Sequence, residues 1–179
     1  MNDCYTMTIA GLERHLPLCP VNKHLDIAAF VMFSDVELTI ACAAELIKKC
    51  PKPEVIVTAE SKGIPLAYEM ARQLGIRYIV ARKSTKLYMK NPIAVNVKSI
   101  TTTALQTLYL DSNEAEYLKG KNVLIADDVI STGESLNALD KLVKESGGSI
   151  VGQCAVLAEG DAADRDDIIF LERLPVFPK

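Results

Sequence analysis

The sequence predicts a single α/β domain built on a doubly wound, mainly parallel sheet. From residue 54 onward, short apolar and β-branched segments alternate with helical segments of about ten to fourteen residues, the length that a right-handed crossover between parallel strands requires. Most of these short segments are apolar throughout, as expected for strands covered by helices on both faces. The 179 residues suit one domain, which buries roughly 70% of its unfolded surface.

The first 33 residues are interpreted as a small flap, or hood, outside this sheet. Pro17 and Pro20 punctuate the segment, and we expect it to be irregular until it enters a strand within the apolar run Ile27–Phe33. Residues 34–160 would form the core, and residues 161–179 a C-terminal extension.

The core begins with a helix. Ser34 stands three residues before Glu37, the spacing of a capping box, and apolar residues continue at helical intervals to about Lys49. Further strands are predicted at Val55–Ala59, Tyr78–Ala81, Asn122–Ala126, Ile150–Leu157 and Ile168–Leu171, with helices at Ile64–Leu74 and Glu134–Ser146. Gly75 and the pair Gly147-Gly148 follow the last two helices, where glycine commonly ends a helix.

Residues 83–103 fit this alternation poorly. The segment is basic and polar, and a segment of this length inside a compact domain is often an active-site lid. A solvated hairpin without function is the alternative.

Composition excludes several classes of protein. The net charge is -3 and no stretch is dominated by Lys or Arg, so no general nucleic-acid surface is expected. The longest apolar run, Ile27–Phe33, is far shorter than the ~20 residues that span a bilayer, and the N-terminus does not resemble a signal peptide. Five widely spaced cysteines without a C-x-x-C pair indicate reduced thiols and a cytoplasmic protein.

The most informative segment is Val123–Ser135. Its apolar strand ends in the adjacent carboxylates Asp127 and Asp128, at the edge of the sheet where doubly wound proteins bind ligands. Ser131, Thr132 and Gly133 then lead into a helix N-terminus, where free N–H groups and the helix dipole bind phosphate.

The two halves of this segment suit different parts of one ligand. Carboxylates would repel a phosphate, so Asp127 and Asp128 are expected to accept hydrogen bonds from neutral sugar hydroxyls, and ribose 5-phosphate meets both requirements. The alternatives are a solvated strand end and an ordinary helix cap. The spacing of a nucleotide P-loop is missing, which argues against ATP hydrolysis.

This segment resembles the signature of type I phosphoribosyltransferases, and the resemblance extends over about residues 35–160. It implies that the acidic pair holds the ribose hydroxyls and that a loop holds the 5-phosphate. The loop residues are Ser131, Thr132, Gly133, Glu134 and Ser135.

Two further segments resemble the same family. Glu60, Ser61, Lys62 and Gly63 correspond to its pyrophosphate loop, and an ordinary turn is the alternative. Arg82-Lys83-Ser84-Thr85-Lys86 resembles the R-K-x-x-K loop of adenine and orotate phosphoribosyltransferases, which meets pyrophosphate partly across a dimer interface; here Arg82, Lys83 and Lys86 are the expected ligands.

The resemblance implies displacement of pyrophosphate at the anomeric carbon of 5-phosphoribosyl-1-pyrophosphate by a purine base. Lys62, Lys83 and Asp127 are the expected catalytic residues, Mg²⁺ would arrive with the donor, and no separate metal site is expected. A homodimer is expected, without nucleic-acid or membrane partners.

Adenine is the favoured base. The proline-containing flap Leu12–Asp26 could offer backbone carbonyls to an amino group, although Arg14, Lys23 and His24 also lie in it. Xanthine or another base is an alternative. A second alternative is a regulator that senses the donor without catalysis, because residues 60–65 also resemble purine repressors; about fifty residues before Pro53 are expected to be too few for a winged helix-turn-helix domain and the flap.

Overall fold

The computed structural model describes residues 4–98 and 105–179. Its strands are β1 (Cys4–Ile9), β2 (Leu12–Asn22), β3 (Leu25–Ala28), β4 (Val55–Ala59), β5 (Arg77–Ala81), β6 (Ile93–Lys98), β7 (Leu105–Leu110), β8 (Asn122–Ile130), β9 (Ser149–Glu159), β10 (Ile169–Leu174) and β11 (Val176–Pro178). The helices are α1 (Val36–Lys49), α2 (Ile64–Leu74), α3 (Ser112–Leu118) and α4 (Glu134–Glu145), and a 3₁₀ helix spans Gly160–Asp164.

The central sheet has five parallel strands in the order β10-β9-β8-β4-β5. This confirms the predicted doubly wound α/β fold. The strand order reverses between β4 and β8, and in such sheets the crevice at the carboxyl ends of the two strands flanking that reversal is where ligands bind.

Helices cover both faces of this sheet. Alternate residues of β4 enter different cores: Val55 and Val57 pack with α4 residues such as Leu139, whereas Ile56 packs with residues of α1 and α2. All five β4 residues are buried, which explains why every residue of this strand except Thr58 is apolar and why it lacks the alternation of a half-exposed strand. Among the described residues, no helix is both long and apolar enough to cross a membrane.

The N-terminal segment forms an ordered sheet, so the expectation of an irregular flap is wrong. Strands β1, β2 and β3 form an antiparallel meander, and β11 pairs with β3 at its edge. Ala10 and Gly11, with φ of 49° and 80°, form a two-residue turn between the paired residues Ile9 and Leu12. Positive φ at both positions is typical of hairpin turns that match strand twist. The expected strand within 27–33 lies instead at Leu25–Ala28.

Helix α1 begins one residue later than the capping-box interpretation predicted. Asp35, not Ser34, is the N-cap, and its Oδ1 accepts a hydrogen bond from the Leu38 backbone N–H at 3.1 Å. The same carboxylate also accepts hydrogen bonds from Arg14 in β2, which hold the pKa of Asp35 below its usual range. The ion pair between Arg14 of the flap and Asp35 therefore favours Asp35 as the N-cap of α1.

Part of the predicted lid, Ile93–Lys98, forms the first strand of a hairpin. Strands β6 and β7 pair antiparallel from Ile93↔Leu110 to Lys98↔Leu105, and Val95 and Leu108 are buried against the core. Helix α3 follows, an element the sequence interpretation missed. Residues 99–103, the end of the predicted lid, lie outside the described residues.

Candidate functional site

The predicted site residues converge at the carboxyl ends of β4, β5 and β8. The loop after β4 contains Glu60 to Gly63, the loop after β5 contains Arg82 to Lys86, and β8 ends beside the loop Ser131–Ser135. Because β4 and β8 are neighbours and flank the point of reversal, these three loops border one crevice.

The acidic pair occupies the last part of β8. Asp128 is only 2% exposed, and its Oδ2 lies 3.0 Å from the Nζ of Lys62. The Oδ1 of Asp127 accepts a hydrogen bond from the backbone N–H of Asp128 at 2.9 Å. Burial, together with the neighbouring charge of Asp128, raises the pKa of Asp127 to about 8, because two adjacent buried carboxylates disfavour each other's charged form.

The loop after β4 is held close to this acidic pair. A Cβ placed on Gly63 would lie 2.9 Å from the Oδ1 of Asp127 and 3.2 Å from its Cα, and would also overlap the hydroxyl of Thr58. Real Cβ atoms do not approach neighbours this closely, so the residue must be glycine for backbone to meet backbone here. The peptide bond between Glu60 and Ser61 in this loop is cis. The close approach of Gly63 to Asp127 places the neighbouring Lys62 beside Asp128.

The loop after β8 forms an anion cradle. Gly133 is the N-cap of α4 and has φ of +78°, a conformation that glycine adopts without steric cost. It lines a cavity of about 130 Å³ that also contains Asp127, Ser131, Thr132 and Ser135. Backbone N–H groups at a helix N-terminus, together with the hydroxyls of this loop, suit a phosphate.

Arg165 contacts this cradle from outside the predicted segments. Its Nη1 lies 2.7 Å from the position that a Cβ on Gly133 would occupy, while its Nε and Nη2 donate to the carboxylate of Asp167 at 2.8 and 2.7 Å. Sequence reasoning missed this residue, since it comes 32 positions after Gly133 and belongs to no recognised motif.

Glu60 contacts the basic residues of the loop after β5. Its carboxylate accepts a hydrogen bond from the Lys83 backbone N–H at 3.0 Å and lies 3.3 Å from the Nη2 of Arg82 and 4.0 Å from the Nζ of Lys86. These interactions, led by the Lys83 N–H, hold the pKa of Glu60 below its usual range. The carboxylate therefore links the loops after β4 and β5, and the exposed Lys83 side chain is left at the rim.

Two of the flap groups considered for base recognition, the Pro17 carbonyl and the Arg14 side chain, are engaged elsewhere. The Pro17 carbonyl accepts a hydrogen bond from the Ala29 N–H at 2.8 Å. The Arg14 guanidinium binds the carboxylates of Asp35 and Glu37. Neither group is free to turn toward the crevice in this conformation.

The structure thus brings together all the segments selected from sequence. Lys62 and Asp128 form an ion pair, Asp127 lines the cradle with Ser131–Ser135, and Arg82 and Lys86 surround Glu60. A cavity lined by hydroxyls and a helix N-terminus, with an acidic pair at its border and cations on the neighbouring loops, can hold a phosphorylated sugar that carries a second anionic group.

Comparison with known proteins agrees with this geometry. A sequence model of the Phosphoribosyl transferase domain matches residues 37–175. The chain is similar to adenine phosphoribosyltransferase from Oenococcus oeni, with 32% identity over 69% of this chain and 68% of that enzyme. It is also similar to hypoxanthine/guanine phosphoribosyltransferase from Methanotorris igneus, with 32% identity over 84% of this chain and 83% of that enzyme.

A further relative is matched over a smaller share of its own length. The purine biosynthesis transcriptional repressor PurR of Bacillus subtilis is 32% identical over 62% of this chain, but the match spans only 38% of the repressor. Among solved structures, adenine phosphoribosyltransferase from Thermoanaerobacter pseudethanolicus shares the fold with a TM-score of 0.73 at 21% identity, over 88% of this chain and 95% of that one.

Proposed function

We propose that this chain, which belongs to the phosphoribosyl transferase domain family, transfers the phosphoribosyl group of 5-phosphoribosyl-1-pyrophosphate to a purine base, with adenine favoured. The bond from the anomeric carbon to pyrophosphate breaks and a bond to a ring nitrogen of the base forms. The products are a nucleoside monophosphate, pyrophosphate and the proton released from the base.

One observation carries the proposal: Asp127 lines the cradle after β8 and also lies against the loop whose Lys62 pairs with Asp128. The cradle, at about 130 Å³, has room for a phosphate group, and Asp127 is one of the residues that line it. The donor would place its 5-phosphate in the cradle, its ribose hydroxyls at the acidic pair and its pyrophosphate toward Lys62.

Catalysis would then be mainly electrostatic. Negative charge accumulates on the leaving pyrophosphate as the bond breaks, and fixed cations at that position stabilise the transition state. Lys62 and Lys83 are the residues proposed to do this. Glu60 would hold Lys83 and Arg82 near the leaving group through the contacts described above.

Magnesium is proposed to enter as part of the donor complex. Among the described residues no group of three or more His, Cys, Asp or Glu side chains is placed to hold a metal ion. Asp127 and Asp128 fit a looser role, in which their oxygens face a metal already bound to the donor's own oxygens; carboxylate and phosphate oxygens suit Mg²⁺. The ion would supply further neutralisation of the pyrophosphate charge.

A purine acceptor is supported by the names of the relatives, which are adenine, hypoxanthine/guanine and xanthine phosphoribosyltransferases. Adenine is preferred because adenine enzymes recur among both the sequence relatives and the solved structures. We further propose a homodimer in which the loop Arg82–Lys86 serves the neighbouring site.

The test is a steady-state assay of pyrophosphate release with the donor, Mg²⁺ and a panel of adenine, hypoxanthine, guanine, xanthine and orotate. We expect release with adenine, at a kcat/KM at least about tenfold above the other bases, a ratio that one mispaired polar group supports. Release with a different base would replace adenine as the acceptor, whereas no release with any base would reject the transfer reaction.

A regulator that binds the donor without turnover is the second candidate, and the match to the Bacillus subtilis repressor favours it. Calorimetry separates the two functions. Donor binding without pyrophosphate release from any base would support the sensor, and binding accompanied by release would support the enzyme.

A further inference from the structure

The acceptor base has a defined side of the crevice. In a displacement at the anomeric carbon with inversion, the attacking group and the leaving group lie on opposite faces of the sugar. Strand β8 lies between β4 and β9 in the sheet. Since the pyrophosphate is proposed to lie at the loop after β4, the base belongs on the β9 side of the cradle.

A cavity of about 520 Å³ occupies that side. Ser131 and Thr132 of the cradle form one wall, so the cavity adjoins the phosphate site directly. Glu159 at the end of β9, the 3₁₀ helix and Val176 of β11 form the others. Strand β11 belongs to the flap sheet, and the cavity therefore lies between the core and the flap.

The charges in this cavity are not equivalent. The guanidinium of Arg165 is engaged on two nitrogens by Asp167, so its charge is largely compensated. In contrast, the carboxylate of Glu159 has no hydrogen-bond or ion-pair partner among residues 4–98 and 105–179, although the residue is partly buried. A carboxylate at a cavity wall without a protein partner is open to accept a hydrogen bond from a ligand.

We infer that Glu159 selects the base by accepting a hydrogen bond from its exocyclic amino group. The inference rests on the proposed function and goes beyond it by naming a specificity-determining residue. A 6-amino group donates to a carboxylate, whereas the 6-oxo group of hypoxanthine would place an acceptor against an acceptor and leave both without a donor. Glu159 lies outside every segment that the sequence interpretation associated with the base.

The experiment uses nucleotide products as probes, because AMP and IMP share phosphate and ribose and differ in the substituent at position 6 of the base and in the proton that IMP carries at N1. Calorimetry on the full chain should give an affinity for AMP about tenfold or more above that for IMP. Glu159→Gln presents an amide that both donates and accepts, and should bring the two affinities within about threefold, chiefly by improving IMP binding.

Two matched variants locate the effect. Asp161→Asn removes an exposed carboxylate from the same cavity. Glu172→Gln removes a carboxylate from β10, outside the cavity. Both variants should keep the wild-type ratio of AMP affinity to IMP affinity. Each variant is also titrated with the donor, and its affinity for the donor should not change.

The outcomes separate the two proposals. Equal affinities for AMP and IMP in the wild type, or a ratio that Glu159→Gln leaves unchanged, would overturn the role of Glu159 while the donor site stands. Failure of the wild type to bind AMP, IMP or donor would overturn the inference and the proposed function together.

Discussion

The Nζ of Lys62 lies 3.0 Å from the Oδ2 of Asp128, and the two side chains differ widely in exposure, at 50% and 3%. The lysine thus neutralises a buried carboxylate from the solvent side. Lys62 follows β4 and Asp128 belongs to β8, so the pair also fixes the distance between the two loops proposed to hold pyrophosphate and ribose.

The first prediction concerns this pair. Lys62→Met should lower the free energy of unfolding by about 1–2 kcal/mol at pH 7, since it leaves a buried carboxylate unpaired; the range is below that of a fully buried pair because Lys62 is half exposed. Donor affinity should fall as well. Urea unfolding and calorimetry measure the two effects.

A double-mutant cycle provides the control. In an Asp128→Asn background, Lys62→Met should change stability by less than about 0.5 kcal/mol, because the charge it neutralised is gone. Lys23→Met, at an exposed flap lysine without an ion pair among the described residues, should be neutral throughout. Equal effects of Lys62→Met in both backgrounds would contradict the pairing.

The second prediction is a pH dependence set by Asp127. Its pKa in the folded chain is raised to about 8, whereas an unfolded aspartate titrates near 4. The folded state therefore holds a proton that the unfolded state loses, and the resulting stability is fully present below about pH 4 and is lost as pH rises through about 8.

Comparison of Asp127→Asn with the wild type measures this contribution, since the amide cannot titrate. Thermal unfolding between pH 5 and 9, values chosen to bracket the raised pKa, should show the wild type losing stability relative to the variant as pH increases. Parallel curves for the two proteins would mean that Asp127 titrates normally.

Donor binding should show the opposite trend. If Asp127 must be ionised to accept a hydroxyl hydrogen bond, binding releases its proton, and wild-type affinity should rise between pH 6 and 8. Calorimetry in two buffers with different ionisation enthalpies would count the protons. Proton uptake, or none, would contradict an ionised Asp127 in the complex.

The parallel core was predictable because its signals are local. Val55–Ala59 and Ile64–Leu74 have the bounds that their apolar patterns and Gly75 indicated. The flap was not, since its strands are stabilised by pairing with one another and with β11, which lies more than 140 residues along the chain. The N-cap of α1 was misassigned for a similar reason: Arg14 of the flap engages Asp35.

The candidate site likewise has one part that was predictable from local sequence and another that was not. Asp127, Asp128 and Gly133 stand in one contiguous motif, so the cradle could be recognised from sequence. The approach of Gly63 to Asp127, the contact of Arg165 with Gly133 and the unpaired Glu159 arise only when separate strands are placed side by side. Such long-range contacts leave no spacing pattern in the sequence.

The third prediction tests whether the loop Arg82–Lys86 acts across a dimer. Lys83→Ala and Asp127→Asn should each be inactive alone. If the subunits exchange freely and the loop serves the partner, a mixture should recover about a quarter of wild-type pyrophosphate release, because half the dimers are mixed and each contains one intact site. Complete inactivity of a mixture whose exchange has been verified would place the loop in its own subunit's site.

The last prediction compares two glycines that share a backbone conformation but differ in their neighbours. Gly133 and Gly75 have φ of +78° and +67°. A Cβ on Gly75 meets nothing within 4 Å, whereas one on Gly133 would lie 2.7 Å from the Nη1 of Arg165. Both Gly→Ala variants incur the left-handed backbone penalty of about 1–2 kcal/mol, and only Gly133→Ala also displaces the arginine.

Gly133→Ala should therefore be less stable than Gly75→Ala, and it alone should lose donor affinity, since the cradle must shift to admit the methyl group. Because the obstruction is the end of a flexible side chain, Arg165→Ala should restore part of the stability of Gly133→Ala and none of that of Gly75→Ala. Urea unfolding of the three single variants, including Arg165→Ala alone, and of the two double variants gives the coupling energies. A coupling energy of zero between positions 133 and 165 would show that the Arg165 side chain moves away from an added methyl group at no cost. Backbone conformation alone would then require glycine at position 133.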